Sequence, residues 1–427
     1  MAALTTDQFH VAGELRVPGD KSISHRALIA ATLAEGRSRV RGILESADVH
    51  STAGVLRALG AGIPPLESSI EIHGLGLHGL RAPDADLDCG NSGTSARLLS
   101  GVVAGAGLTA RFVGDASLSR RPMKRVKVPL EQMGARLDLP PHGGLPMTVF
   151  GAKLHDIDWS SEIASAQVKS CILLAALTAG VEATVREPAR SRDHTERMLA
   201  AMGAEVWTND EAVLLFPTTK LDALDLDVPG DPSSAAFFAG LATLAGSGEL
   251  LLRHVGVNET RTGFFAALRE MGASIDLQES VRESGEWVAD LNVAGGGALR
   301  GVTIGEEAIP TLIDELPLLA CIAAYAAGET RVTGAAELRV KESDRIAAVV
   351  GNLRELGADA EELPDGFVVR GTRPTLRGRV TTHGDHRLAM AFGVLGALPG
   401  NEIAVDDPDC VSVSYPGFWS DLERVTS

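Results

Sequence analysis

Apolar positions in this chain fall into two alternating kinds of segment. The first is apolar nearly all round, rich in Ala and Leu, and closed by a glycine: Ser22 to Gly36, Ser92 to Gly107, Ser165 to Gly180, Ser233 to Gly248, Thr311 to Gly328 and His386 to Gly400. This composition predicts helices buried on every side, since no face is set aside for water. A glycine beyond each one fits the left-handed residue that commonly ends a helix. The second kind starts polar, continues amphipathically and ends in Leu or Met followed by Gly-Ala, at Leu59-Gly60-Ala61, Met133-Gly134-Ala135, Met202-Gly203-Ala204, Met271-Gly272-Ala273 and Leu356-Gly357-Ala358. Alternating stretches such as Glu205-Val206-Trp207-Thr208 and Ser274-Ile275-Asp276-Leu277 follow these endings and read as short strands.

Both series recur with a period of about seventy residues, the mark of an α/β repeat protein of about six units, each with two helices and several short strands. The second series lacks a clear sixth ending, so its last copy is degenerate or missing near Trp419 to Val425. A chain of 427 residues has room for about two or three domains.

Polar residues gather where the expected helices begin. Gly19-Asp20-Lys21-Ser22-Ile23-Ser24-His25-Arg26 leads into the first of them. Free backbone N–H groups and the positive end of the dipole favour an anion at such a place. Ser22 and Arg26, four apart, share a face, so a phosphate or carboxylate would satisfy dipole, hydroxyl and guanidinium together. A surface helix with ordinary basic residues is the plainer alternative. Lys341-Glu342-Ser343-Asp344-Arg345 holds a similar tension: its two cations at i and i+4 repel unless an anion lies between them, or unless Glu342 and Asp344 neutralise them on a solvated face. Asp314 lies between Leu312-Ile313 and Leu316-Pro317-Leu318-Leu319, where a carboxylate needs a partner or a function.

The net charge of −17, from 39 Lys+Arg against 56 Asp+Glu, argues against a general nucleic-acid or anionic-membrane surface and makes any basic site local. Cys89, Cys171, Cys321 and Cys410 are far apart, with no C-x-x-C and no Cys/His cluster, which speaks against structural zinc. The start Met1-Ala2-Ala3-Leu4-Thr5-Thr6-Asp7 lacks the basic and apolar regions of a signal peptide, and the apolar runs are too broken to span a membrane; a cytoplasmic location is expected.

Six motifs together resemble the enolpyruvyl transferase family over essentially the whole chain: Gly19 to Arg26, Gly90-Asn91-Ser92-Gly93-Thr94, Arg121-Pro122-Met123, Ser165-Ala166-Gln167, Lys341 to Arg345 and Asp385-His386-Arg387. The resemblance implies two similar domains, each of three βαβαββ units in an inside-out α/β barrel. Residues 1–17 and 232–427 would form one domain and residues 18–231 the other, with the chain crossing at Val228 to Pro232 and the active site in the cleft between them. It also implies transfer of the carboxyvinyl group of phosphoenolpyruvate to the 5-hydroxyl of shikimate 3-phosphate, with release of phosphate, on the route to chorismate and the aromatic amino acids. A monomer without metal or organic cofactor would do this.

Carried over position by position, Lys21, Ser22, Arg26, Ser165, Gln167, Arg192, Asp314 and Lys341 would hold shikimate 3-phosphate. Lys21, Gly93, Arg121, Gln167, Arg345 and Arg387 would hold phosphoenolpyruvate. Asp314 would take the 5-hydroxyl proton, Glu342 with Lys21 would manage the proton at the vinyl carbon, and His386 is a supporting catalytic candidate. Two multiply anionic substrates call for such cations, and two carboxylate-centred groups suffice for the proton transfers. This set gives a formal excess of positive charge.

Departures from the better-known branch of the family are informative. Val413, in Cys410-Val411-Ser412-Val413-Ser414-Tyr415-Pro416, stands where that branch carries a lysine. Arg192-Asp193-His194-Thr195-Glu196, Ser165-Ala166-Gln167-Val168-Lys169 and Asn258-Glu259-Thr260-Arg261 resemble a second class whose members tend to tolerate glyphosate, an inhibitor expected at the phosphoenolpyruvate site. The sister activity on UDP-N-acetylglucosamine would want a Lys-Asn pair and a loop cysteine. Here Ser22 follows Lys21, and the loop from Gly114 to Val128 holds no Cys. A non-catalytic repeat scaffold would explain the buried helices but not the cations at their starts.

Overall fold

The computed structural model describes residues 9–209 and 211–426; residues 1–8, on which the reading of the N-terminus rests, lie outside them. The chain divides into two units. One takes in the segment ending at Pro18, then Pro229–Val281 and the chain from Trp287 onward; the other is Gly19–Val228 with Arg282–Glu286. The excursion at Arg282–Glu286 has no counterpart in the boundaries expected from sequence. Each unit has its own hydrophobic core.

In the Gly19–Val228 unit, one complete repeat runs through strand Leu87–Asp88, helix Gly93–Gly105, strand Ala110–Val113, helix Lys124–Gln132 and strands Arg136–Asp138 and Met147–Phe150. The first two strands are parallel, with Leu87 opposite Phe112, and the others antiparallel, giving the sheet order first, second, fourth, third. Strands Ile157–Ser160, Ala183–Arg186, Val206–Thr208 and Ala212–Leu215, with helices Ala166–Ala179 and His194–Ala201, repeat the arrangement. The remaining sheet is completed from the far end of the unit: Asp225–Asp227 lies parallel to Arg37–Arg41.

The other unit is closed in the same way. Gly13–Leu15 lies parallel to the start of Glu249–Gly256, so the first strand pairs with the second half of the chain. A four-stranded sheet of Thr303–Ile304, Gly328–Val332, Gly366–Gly371 and Asp359–Leu363, and a parallel pair Arg377–Val380 with Glu402–Val405, complete it. These are two similar mixed α/β units.

The nearly all-apolar segments do form buried helices: Lys21–Leu33, Gly93–Gly105, Ala166–Ala179, Pro232–Leu244 and His386–Gly396. The fifth copy, expected as one helix from Thr311 to Gly328, is broken. Ile309–Leu312 and Leu316–Ala323 are joined by a 3₁₀ turn, Ile313–Glu315. Pro317 explains the break, because its ring lacks an N–H and crowds the carbonyl one turn earlier. Asp314 sits in that turn.

The closing glycines of both series all take positive φ, from 67° at Gly107 and Gly180 to 109° at Gly248. Gly180 and Gly272 directly follow their helices as left-handed caps, and Gly60, Gly107, Gly134, Gly203 and Gly357 come one residue after a helix's cap residue; Gly36 and Gly248 instead precede strands, and Gly328 begins one. In the all-apolar series the expectation of a helix-ending glycine holds at Gly107 and Gly180 and is corrected at Gly36, Gly248, Gly328 and Gly400, which lie two or more residues beyond the helix's cap residue and lead the chain toward or into the next strand. The sixth amphipathic copy is present as helix Phe418–Thr426, which buries Phe418, Leu422 and Val425 without the Gly-Ala ending. Among the described residues no helix is long and apolar enough to cross a membrane.

Candidate active site

In the Gly19–Val228 unit, Asp20 caps the first helix by accepting from the Ile23 N–H at 2.8 Å. Lys21, Ser22 and Arg26 therefore lie in its first turns. Gly19 is there for packing, since a Cβ on it would lie 2.0 Å from the Gly42 carbonyl oxygen. Lys21 Nζ lies 3.0 Å from Asp48 Oδ2. Arg26 is 5% exposed; its Nε donates to Thr195 Oγ1 at 2.7 Å and its terminal nitrogens to Ser170 Oγ at 2.8 Å and the Ser22 carbonyl at 3.0 Å. Burial pulls its guanidinium down to about 10, against the opposing pull of Glu196 and Asp20, and it stays a cation at neutral pH. Arg192 reaches Ser22 Oγ at 3.4 Å.

A second cluster forms where helices Gly93–Gly105 and Ala166–Ala179 begin. Ser92 and Ser165 cap them. Gln167 joins them: its Oε1 accepts from Arg97 at 2.5 Å, and its Nε2 donates to Thr94 Oγ1 at 3.0 Å. Arg121 donates to Asn91 Oδ1 at 2.6 Å. A Cβ on Gly93 would lie 2.9 Å from an Arg97 nitrogen and 3.5 Å from one of Arg121, so Gly93 sits between two guanidinium groups.

His25, inside the opening motif, is buried within the unit. Its Nδ1 is 2.6 Å from Thr52 Oγ1, which is 2.6 Å from Ser95 Oγ, which donates to Ser92 Oγ at 2.8 Å. Burial, then Lys21 and Arg26, holds the imidazole well below its usual 6.5. The chain of hydroxyls thus fastens the first helix to the cap of the helix that starts at Gly93.

In the other unit the centre is Asp314. Its Oδ1 lies 3.4 Å from Lys341 Nζ and 3.2 Å from an Arg345 nitrogen, and its Oδ2 lies 3.8 Å from Arg387. Arg345 is 1% exposed and also meets Glu342 Oε2 at 2.6 Å and Asp385 Oδ2 at 2.8 Å. Burial would lower its pKa, but Asp385, Glu342 and Asp314 outweigh it and hold it above the usual value. Arg387 also donates to the Asp314 carbonyl at 3.1 Å and to Glu315 Oε1 at 3.3 Å. His386 lies beside it, buried, in the first turn of its helix.

Two expectations change here. Lys341 precedes helix Arg345–Glu355, whose cap is Asp344, so Lys341 and Arg345 are not helical neighbours; Asp314 is the anion between them. The expected excess of positive charge also fails in this unit. Lys341, Arg345 and Arg387 are matched by Asp314, Glu315, Glu342 and Asp385. Sequence reasoning missed Asp48, Arg97, Glu315 and Asp385 as parts of the charge network, although Arg97 and Asp385 lie within or beside quoted motifs. Val413 ends the 3₁₀ segment Pro408–Val413 and is half-buried. No group of three His, Cys, Asp or Glu side chains suited to a metal occurs among the described residues.

A profile of the EPSP synthase family (3-phosphoshikimate 1-carboxyvinyltransferase) matches residues 6–422. The chain belongs to the EPSP synthase family. Curated relatives bearing the enzyme name 3-phosphoshikimate 1-carboxyvinyltransferase include one from a Sulfurihydrogenibium species, 48% identical over 421 residues and covering 97% of each chain. Another, from Alkalilimnicola ehrlichii, is 49% identical over 419 residues, 96% of this chain and 94% of the relative. A solved EPSP synthase from Acinetobacter baumannii superposes with a TM-score of 0.86 at 40% identity, covering 98% of this chain and 96% of that one. An enolpyruvyl transferase from Streptomyces tendae, at 17% identity and a TM-score of 0.77 over 97% and 95% of the two chains, shares the fold.

Proposed function

We propose that the chain transfers the carboxyvinyl group of phosphoenolpyruvate to the 5-hydroxyl of shikimate 3-phosphate, and that both sets of residues serve this one reaction. The observation that carries the proposal is Asp314, a buried carboxylate facing Lys341, Arg345 and Arg387. Those cations favour its ionised form, which can accept a proton from a hydroxyl. The 5-hydroxyl gives its proton to Asp314 and its oxygen bonds to C2 of phosphoenolpyruvate, while the C3 methylene takes a proton from the Glu342 and Lys21 pair. The C2–O bond to phosphate then breaks, C3 returns a proton, and the double bond re-forms.

Substrate contacts follow the chemistry of each cluster. Ser22, Arg26, Ser165 and Arg192, with Lys341, meet the phosphate and hydroxyls of shikimate 3-phosphate. Lys21, Gly93, Arg121 and Gln167, with Arg345 and Arg387, meet phosphoenolpyruvate. The gap between the Arg97 and Arg121 guanidiniums suits a carboxylate or phosphate. His386 supports Arg387. A cytoplasmic monomer and moderate glyphosate tolerance belong to the same reading; Val413 leaves one cation fewer for that inhibitor.

The test is phosphate release from phosphoenolpyruvate with and without shikimate 3-phosphate, with the enol ether product identified by mass. Release that requires shikimate 3-phosphate is the expected result. No turnover with that acceptor, or equal turnover with UDP-N-acetylglucosamine, overturns the reading.

A further inference from the structure

Two segments assigned to the shikimate 3-phosphate site are tied to a single buried carboxylate. Glu187 directly follows strand Ala183–Arg186, and its side chain is 8% exposed. Its Oε1 accepts from the Ser165 N–H at 2.8 Å. The Ser191 hydroxyl is 2.7 Å from both carboxylate oxygens. Its Oε2 is 2.8 Å from Lys169 Nζ. One side chain thus grips the residue that begins helix Ala166–Ala179 and the residue before Arg192.

Lys169 supplies the balancing charge. It is buried, and it lies 2.9 Å from Glu196 Oε1 and donates to the Ser191 carbonyl at 3.4 Å. Burial alone would lower its pKa, but Glu196 and Glu187 outweigh that and keep it raised. Glu196 in turn is the largest favourable charge acting on Arg26. The network therefore runs from Glu187 through Lys169 and Glu196 to Arg26, itself named above as a ligand.

Buried ion networks are poor devices for stability, because desolvation offsets most of the attraction and apolar side chains of similar volume often do as well. What a carboxylate with four short contacts does supply is fixed geometry. We propose that Glu187, neutralised by Lys169, is a positioning residue for shikimate 3-phosphate: it holds the Ser165 backbone and the Ser191-Arg192 segment in one register so that Ser165 and Arg192 meet the same ligand. This rests on the assignment of Ser165 and Arg192 under the proposed function.

Glu187→Gln keeps the volume but loses the charge and one acceptor. The expected result is a KM for shikimate 3-phosphate raised about ten-fold or more, the scale of a lost charge-assisted hydrogen bond. The KM for phosphoenolpyruvate should stay within about two-fold and kcat within about three-fold, the pattern of lost ground-state binding. A purely structural role would lower the melting temperature and the active fraction while leaving both KM values alone.

Ser191→Ala, which removes one hydroxyl and no charge, provides a variant that folds. It should raise the KM for shikimate 3-phosphate severalfold on its own and add little in a Glu187→Gln background, since both act through one link. Variants whose KM for shikimate 3-phosphate is unchanged, or rises in step with that for phosphoenolpyruvate, overturn the inference while normal wild-type turnover keeps the functional reading. A wild-type protein that neither binds nor uses shikimate 3-phosphate overturns both.

Discussion

At the scale of single residues, Asp314 and Arg26 separate chemistry from binding. Asp314→Asn keeps the size of the side chain and removes its basicity, so kcat should fall by about two to four orders of magnitude while calorimetric titration still shows shikimate 3-phosphate binding; near-normal turnover would remove Asp314 as proton acceptor. From sequence, Arg26→Ala is expected mainly to weaken shikimate 3-phosphate binding. The structure makes it also a stability variant, because Ser170, Thr195 and the Ser22 carbonyl lose their donor. Arg192→Ala, at a half-buried position, should weaken shikimate 3-phosphate by about 1.5–3 kcal/mol with the melting temperature unchanged. His25 carries a pH signature. Its folded pKa lies well below 6.5, so the unfolded chain binds the proton more readily. Its contribution is fully present above 6.5 and is lost as pH falls from there toward the folded value, at up to about 1.4 kcal/mol per pH unit. Urea unfolding from pH 8 to pH 5 should show this slope, and His25→Asn should remove that share of it.

Whole elements meet at two places that matter for function. Helices Gly93–Gly105 and Ala166–Ala179 approach so closely that a Cβ on Gly101 would lie 2.1 Å from the Cys171 carbonyl oxygen, and one on Gly105 would lie 2.2 Å from that of Ala175. Gly101→Ala should therefore destabilise the fold by about 1–3 kcal/mol, the usual cost of overpacking, and disturb the Gln167 bridge; chemical denaturation measures the first and the KM for phosphoenolpyruvate the second. Gly93→Ala behaves differently. Its Cβ would meet only the ends of the flexible Arg97 and Arg121 side chains, so the protein should fold normally. From sequence the added methyl is expected to act mostly on the bulkier inhibitor, at a smaller cost in phosphoenolpyruvate affinity. Arg97 also holds Gln167, so phosphoenolpyruvate should weaken as well, with glyphosate weakening more. Inhibition at varied phosphoenolpyruvate decides, and equal weakening of the two would deny Gly93 any discriminating role.

For the molecule as a whole, two separate hydrophobic cores and a chain that passes between units near Pro18, Val228, Val281 and Glu286 set the unfolding behaviour. Multi-domain chains depart from two-state unfolding, so the calorimetric enthalpy should exceed the van't Hoff enthalpy in the absence of substrates. Shikimate 3-phosphate at about 100 times its Kd should add about 2.7 kcal/mol to whatever it binds, by mass action, and shift the corresponding transition upward in scanning calorimetry. A single two-state transition without ligand would contradict the independence of the cores.

The sequence by itself determined the repeat, its period, the buried character of the inner helices and the cations at their starts. Those properties are local: an all-apolar helix and a left-handed glycine leave their mark within one segment, and Gly36, Gly134 and Gly272 all took the positive φ that the pattern asks for. Only the tertiary structure decided which charges meet. Asp48 against Lys21, Asp385 against Arg345, Glu315 against Arg387 and Glu187 against the Ser165 N–H and Lys169 are contacts that side chains make with groups from different segments. No periodicity records such a pairing, because a buried ion needs its partner in space and is indifferent to where along the chain that partner lies. The break at Ile313–Glu315 lies between the two cases: Pro317 announced it locally, but that the turn would present Asp314 to three cations was settled by packing alone.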